Sequence, residues 1–191
     1  TIEDADGDKV TETVNFSVDG DSTPAVTFVN DAVVDEDQLT PDGNNDAVAA
    51  DFDRAETAQP GTIRVNTGLD DLSKVELQLG DTTDPLTSLT TLDGSPVNFT
   101  WIPTLGAAGA LVGHTGAAPA TLDAANVVVV VELGTYNSGA GSTGPQDIGY
   151  TVTLKQPITH AQNSNEAEFD PFFHVQVVVT DLASDGTDVD T

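Results

Sequence analysis

The sequence predicts an all-β protein, an antiparallel β-sandwich with long acidic loops. Three observations predict it. Apolar residues recur at every second position in several separate runs, which is the period of a strand that buries one face. No amphipathic helical period is sustained anywhere. Gly and Pro, 17 and 10 of the 191 residues, interrupt the apolar runs at short intervals, as the turns of an all-β domain do. Asp outnumbers Glu 24 to 8. Because Asp favours turns and caps while Glu favours helices, that excess puts the acid in loops.

The elements follow in order. Residues 9–18 alternate, with Val10, Val14, Phe16 and Val18 on one face and Thr11, Thr13, Asn15 and Ser17 on the other; Glu12 breaks the apolar side. Gly20 and Pro24 bracket an acidic linker, and residues 25–29 make a second strand. Residues 30–53 are polar and without period, a long loop with a turn of helix near 47–52. Further strands are expected at 62–66, 74–79 and 97–102, where Val75, Leu77 and Leu79, and then Val97, Phe99 and Trp101, share faces. Residues 106–116 are small and flexible, with a short apolar patch at Leu111 and Val112. Residues 127–133 are almost continuously apolar and read as a central strand covered on both faces. Residues 136–146 form a Gly/Ser loop. The last two strands carry Ile148, Tyr150, Val152 and Leu154, then Phe173, Val175, Val177 and Val179. Eight or nine strands of this kind suit an immunoglobulin-like or cadherin-like sandwich.

Charge excludes several roles. With 32 Asp and Glu against 5 Lys and Arg, the formal net charge is -27, which repels phosphate backbones and anionic lipid, so neither a nucleic-acid partner nor a membrane surface is expected. The longest apolar run, Val127 to Val131, is far short of the roughly 20 residues of a membrane span, so no membrane insertion is expected. Without cysteine, neither a disulfide framework nor a thiolate metal site can form. No basic leader precedes Thr1, and the chain is expected to be a piece of something longer.

An internal echo sets the domain organisation. The acidic stretch at 3–10 resembles that at 180–189, and the second copy carries two extra residues before its Asp-Gly. The first copy is followed by the strand at 9–18; the second reaches Thr191 before any such strand. A tandem array cut out of phase has this form. Residues 1–21 then supply the terminal strand and linker of a preceding repeat, and 22–191 one sandwich repeat lacking its last strand.

Three acidic clusters are candidate metal sites. Asp4, Asp6 and Asp8 are spaced by two around Gly7, which in a turn points alternate carboxylates at one centre, and Ca2+ takes six to eight such oxygens. No Glu follows at the twelfth position of an EF-hand loop, so a turn of the β-sandwich type is expected. Asp19, Asp21, Asp31, Asp35 and Asp37 flank the linker, where metal would lock the angle between consecutive modules. Asp181, Asp185 and Asp188 form the third cluster. A solvated acidic turn or a charged linker is the plainer reading of each.

The order of several motifs resembles one family. Val34-Asp35-Glu36-Asp37-Gln38-Leu39, the stretch from Ser88 to Trp101, Tyr150 to His160 with its Pro157, and Val177 to Asp181 are similar, in sequence order, to motifs of the type I secretion repeat domains of giant bacterial RTX adhesins. Thr159 stands where the family usually places Asp, and Leu182-Ala183-Ser184 widens its closing acidic turn. No Gly-Gly-x-Gly-x-Asp nonapeptide occurs, so the chain is not a calcium β-roll. The resemblance implies an extracellular, calcium-stiffened module of a bacterial surface protein, with neighbouring repeats of the same polypeptide as its partners and a place in adhesion and biofilm formation.

Catalysis is not expected. His114, His160 and His174 show no zinc spacing, and no nucleophile elbow or local triad occurs. His174 is expected on the outer face of its strand, His160 capping a turn, and Trp101 in the core. The alternative function is a module that recognises surface glycan through loops 30–60 or 103–126. Phe52 is the only aromatic in those loops, which is poor for sugar stacking.

Overall fold

A computed structural model describes residues 2–3, 9–10, 22–30, 32, 34, 39, 58–80, 89–159, 174–182 and 189–190. Its strands, in chain order, are β1 (Ile2–Glu3), β2 (Lys9–Val10), β3 (Ala25–Val29), β4 (Ala58–Asn66), β5 (Asp71–Leu79), β6 (Asn98–Ile102), β7 (Ala110–His114), β8 (Val127–Leu133), β9 (Pro145–Leu154), β10 (Val175–Leu182) and β11 (Val189–Asp190). Among the described residues there is no helix, and every strand pairing is antiparallel. The all-β, antiparallel expectation holds. A six-stranded sheet runs β3-β4-β9-β8-β7-β6, a three-stranded sheet runs β11-β10-β5, and β1 pairs with β2.

One core joins the two larger sheets. Ile63 and Val65 of β4, Leu111 of β7, Val129, Val131 and Leu133 of β8, and four residues of β9 meet Leu72, Val75 and Leu77 of β5 and Val177 and Val179 of β10. Alternation puts them there: β9 is buried at Ile148, Tyr150, Val152 and Leu154 and more open between them. Each such aliphatic side chain contributes about 1.5–3 kcal/mol through the water it leaves. Val26, Phe99 and Trp101 pack against this core half-buried, so Trp101 is a core residue as expected.

β8 is buried at all of its first five positions, as its unbroken apolar run predicts. The second covered face has an identifiable cause. Gly113 pairs with Val129 and His114 with Val127, so Val128 is an extra residue in the ladder. Such a bulge reverses the parity of the strand. Val127 and Val130, three apart, therefore share the outer face with Ala110 and Val112. Leu105, Leu122 and Ala124 from the connections before β7 and before β8 cover them, beside Ile102 of β6. Val128 itself packs with Leu89 and Val97 in a third cluster.

Two expectations change. Residues 106–116 were expected to be flexible, yet Ala110–His114 is a strand buried at every position. Its sequence shows no alternation because both faces are covered, and its small residues fit close quarters: a Cβ at Gly113 would overlap Val129. Asp181 was expected in the closing turn. It lies inside β10, fully buried, past a register shift between Thr180 and Asp181 and opposite Leu72. Strand ends also move outward. β4 starts at Ala58 and contains Pro60, where it pairs with β9 but not with β3; a missing N–H is tolerated on such an open side. Of the strand expected at 9–18, Lys9–Val10 is described, paired with Ile2–Glu3. Positions 11–18, the helical turn near 47–52 and Phe173 lie outside the described residues.

Candidate functional site

Of the expected metal ligands, Asp4, Asp6, Asp8, Asp19, Asp21, Asp31, Asp35, Asp37, Asp185 and Asp188 lie outside the described residues, as does His160. Asp181 is described and sits in the interior. Among the described residues no three His, Asp or Glu side chains gather in one place. All eleven expected ligands are carboxylates, oxygen donors that suit a hard divalent cation such as Ca2+.

The best organised acids in the described part are Asp70 and Asp71, at the β4–β5 turn, and sequence reading singled out neither. Gly68, with φ of 64°, makes this turn, and the Asn66 side chain accepts the Gly68 N–H at 3.0 Å. Asp70 is buried, 9% exposed, and its Oδ2 accepts the backbone N–H of Ser22 at 2.8 Å. The Ser22 hydroxyl lies 2.7 Å from the Thr67 carbonyl and 3.0 Å from the same Asp70 oxygen; its single proton serves one of them at a time. It also accepts the Leu69 N–H at 3.2 Å. Beside it, Asp71 Oδ1 accepts two consecutive backbone donors, Gly141 N–H at 2.8 Å and Ser142 N–H at 2.9 Å. Successive N–H groups in a Gly-rich turn form an anion-binding nest. Here the chain's own Asp71 fills it, so the Gly/Ser loop is held against β5. The legible signal was the Gly-Leu-Asp-Asp run between two alternating stretches; the partners, tens of positions away, were not legible.

β3 is fastened at its other end too. Asn30 N–H donates to the Thr62 carbonyl at 3.3 Å, and the Tyr150 hydroxyl donates to the Asn30 carbonyl.

The histidines show no catalytic arrangement among the described residues. His114 is buried, 3% exposed, with Nε2 3.0 Å from Thr100 Oγ1 and Nδ1 buried without a hydrogen-bond partner. His174 is exposed, in line with its expected outward position. Of residues 103–126, one candidate for glycan contact, Ala110–His114 form β7, and Leu105, Leu122 and Ala124 on either side of it cover the outer apolar cluster. Asn126 closes residues 115–126, donating to the Thr115 and Ala117 carbonyls, each at 2.7 Å. Among the described side chains no aromatic is fully exposed.

Electrostatics at the surface are local. Arg64 on β4 and Asp147 on β9 form a two-pronged pair at 2.6 and 2.7 Å. That hydrogen bond holds the Asp147 carboxyl below the usual carboxylate range. Asp93 is held low as well, first by the Thr91 hydroxyl and then by the Ser95 N–H. No helix of the described residues is long and apolar enough to cross a membrane.

No family model, curated protein or solved structure matches the chain.

Proposed function

We propose that the chain is a calcium-stabilised structural repeat, an extender within a secreted adhesin on a bacterial cell surface, built as a two-sheet sandwich and without catalytic activity. The observation that carries this is the pairing of a net charge of -27 with Asp-rich stretches of sequence whose spacing suits a hard cation. Asp4, Asp6, Asp8, Asp19, Asp21, Asp31, Asp35, Asp37, Asp185 and Asp188 are the carboxylates from which Ca2+ ligands would be drawn, while Asp181, fully buried in β10, is not among them. Bound Ca2+ cancels charge and ties loops together. The single core shared by the two larger sheets supports a sandwich, and the neighbouring repeats of the polypeptide are its partners.

The test is thermal unfolding in EDTA, millimolar Ca2+ and millimolar Mg2+. A cation that binds only the folded chain at a hundred times its dissociation constant adds about 2.7 kcal/mol. A melting temperature that is the same in EDTA and Ca2+ overturns the reading. Asp6→Ala removes part of the shift. Turnover of a glycan, peptide or ester that vanishes with one carboxylate or His substitution would show an enzyme instead. The glycan-recognising alternative rests on loops 30–60 and 103–126, and binding to a glycan array would favour it.

A further inference from the structure

We infer that the bonds of Ser22 to the β4–β5 turn form a mechanical clasp, which holds β3 on the sheet when tension reaches the chain from the side of residue 21. The inference rests on the extender reading only for the tension; the clasp itself is structural. Its geometry is a matter of order along the chain. The first rung between β3 and β4 pairs Ala25 with Asn66. The contacts of Ser22 with Thr67, Leu69 and Asp70 lie three residues before that rung. Any pull transmitted through residue 21 therefore meets the clasp before it meets the ladder.

The strand needs such a fastening. Among the described residues β3 is the terminal strand of the six-stranded sheet, laddered with β4. The strand has five residues, four of them in register with β4, with a shift between Val26 and Phe28, and Val29 is exposed. An edge strand this short, with a bulge, peels readily from one end. The turn that receives Ser22 is shaped beforehand. Gly68 occupies the left-handed region, and a Cβ there would overlap the Ser22 hydroxyl. Asn66 braces the Gly68 N–H. The carboxylate of Asp70, withdrawn from water, accepts the Ser22 N–H in a charge-assisted bond, a stronger type than a neutral one. Asn30, with its bonds to Thr62 and Tyr150, holds the far end of the same strand.

Hydrogen exchange of the full chain in EDTA, followed amide by amide, tests this. Ser22→Ala removes the hydroxyl and spares the Asp70 carboxylate; Asp70→Ala removes the acceptor. In both variants the amides of Ala25–Val29 should exchange about ten to a hundred times faster, the size expected for loss of hydrogen bonds to a buried charged group. Amides of Val127–Leu133, remote in the sheet, should be unchanged. In single-molecule pulling between cysteines introduced at Thr1 and Thr191, in a chain without native cysteine, the first unfolding step should fall to lower force in Ser22→Ala. Unchanged exchange of β3 together with an unchanged first step in Ser22→Ala overturns the clasp, even if Asp70→Ala fails to fold. These readings are made without Ca2+, so a calcium-independent melting temperature would sink the extender reading and leave the clasp standing.

Discussion

Gly61 and Tyr150 face each other across the β4–β9 ladder, and the tyrosine ring occupies the space in which a side chain at residue 61 would stand. The ring lies over the glycine backbone and its hydroxyl reaches the Asn30 carbonyl. One missing side chain thus lets one aromatic tie β9 to the end of β3. Gly61→Ala should displace the ring and destabilise the fold by about 1–3 kcal/mol. Tyr150→Phe, which keeps the ring and loses the bond, should cost about 1 kcal/mol. Urea unfolding of both variants measures this, and an unaltered midpoint for Gly61→Ala would show that the ring has room to move.

The cover over the outer face should be separable from the main core. Asn126→Ala removes both bonds that close residues 115–126, each worth about 1 kcal/mol, without touching the main core. Limited proteolysis should then cut within 115–126 much faster, while the amides of Pro145–Leu154 keep their protection. Equal loss of protection in both places would mean that cover and core unfold as one unit.

Two carboxylates should mark the acid limb of stability. Asp93 and Asp147 are held below the usual carboxylate range in the folded chain, so the unfolded chain takes up their protons first as pH falls. Their contribution is therefore full above the unfolded value, roughly pH 4, and is lost as pH drops through the folded value. Asp93→Asn and Asp147→Asn should be less stable than the parent at pH 7, and the gap should close toward pH 3. A gap that stays constant over that range contradicts the assignment. Both sites are at the surface, so each effect is small.

Removal of residues 1–18 tests the domain organisation. The alternating face of Val10, Val14, Phe16 and Val18 suits a strand added to an open sheet edge, and an unfilled edge invites pairing. Strand donation, within the chain or from a neighbour, should be visible as a lower melting temperature and an altered mass in solution after truncation. A truncated chain of the same mass and stability would show that the strand fills nothing.

The sequence alone determined the class of element and much of the core. Period two at Val75 and Leu77, and at Ile148, Tyr150, Val152 and Leu154, follows from the pleat, which sends alternate side chains to one face whatever the partner. The five consecutive valines of β8 likewise announced a strand covered twice. Only the tertiary structure decided what covers it, since the bulge at Val128 and the cover from 115–126 depend on which strand lies alongside. The same holds for β7, whose small residues look like a loop until β6 and β8 supply its ladder. Asp70 became the acceptor for Ser22, and Asp181 became an interior residue of β10, for the same physical reason. A carboxylate's surroundings are set by chain segments tens of positions away, and local spacing carries no record of them.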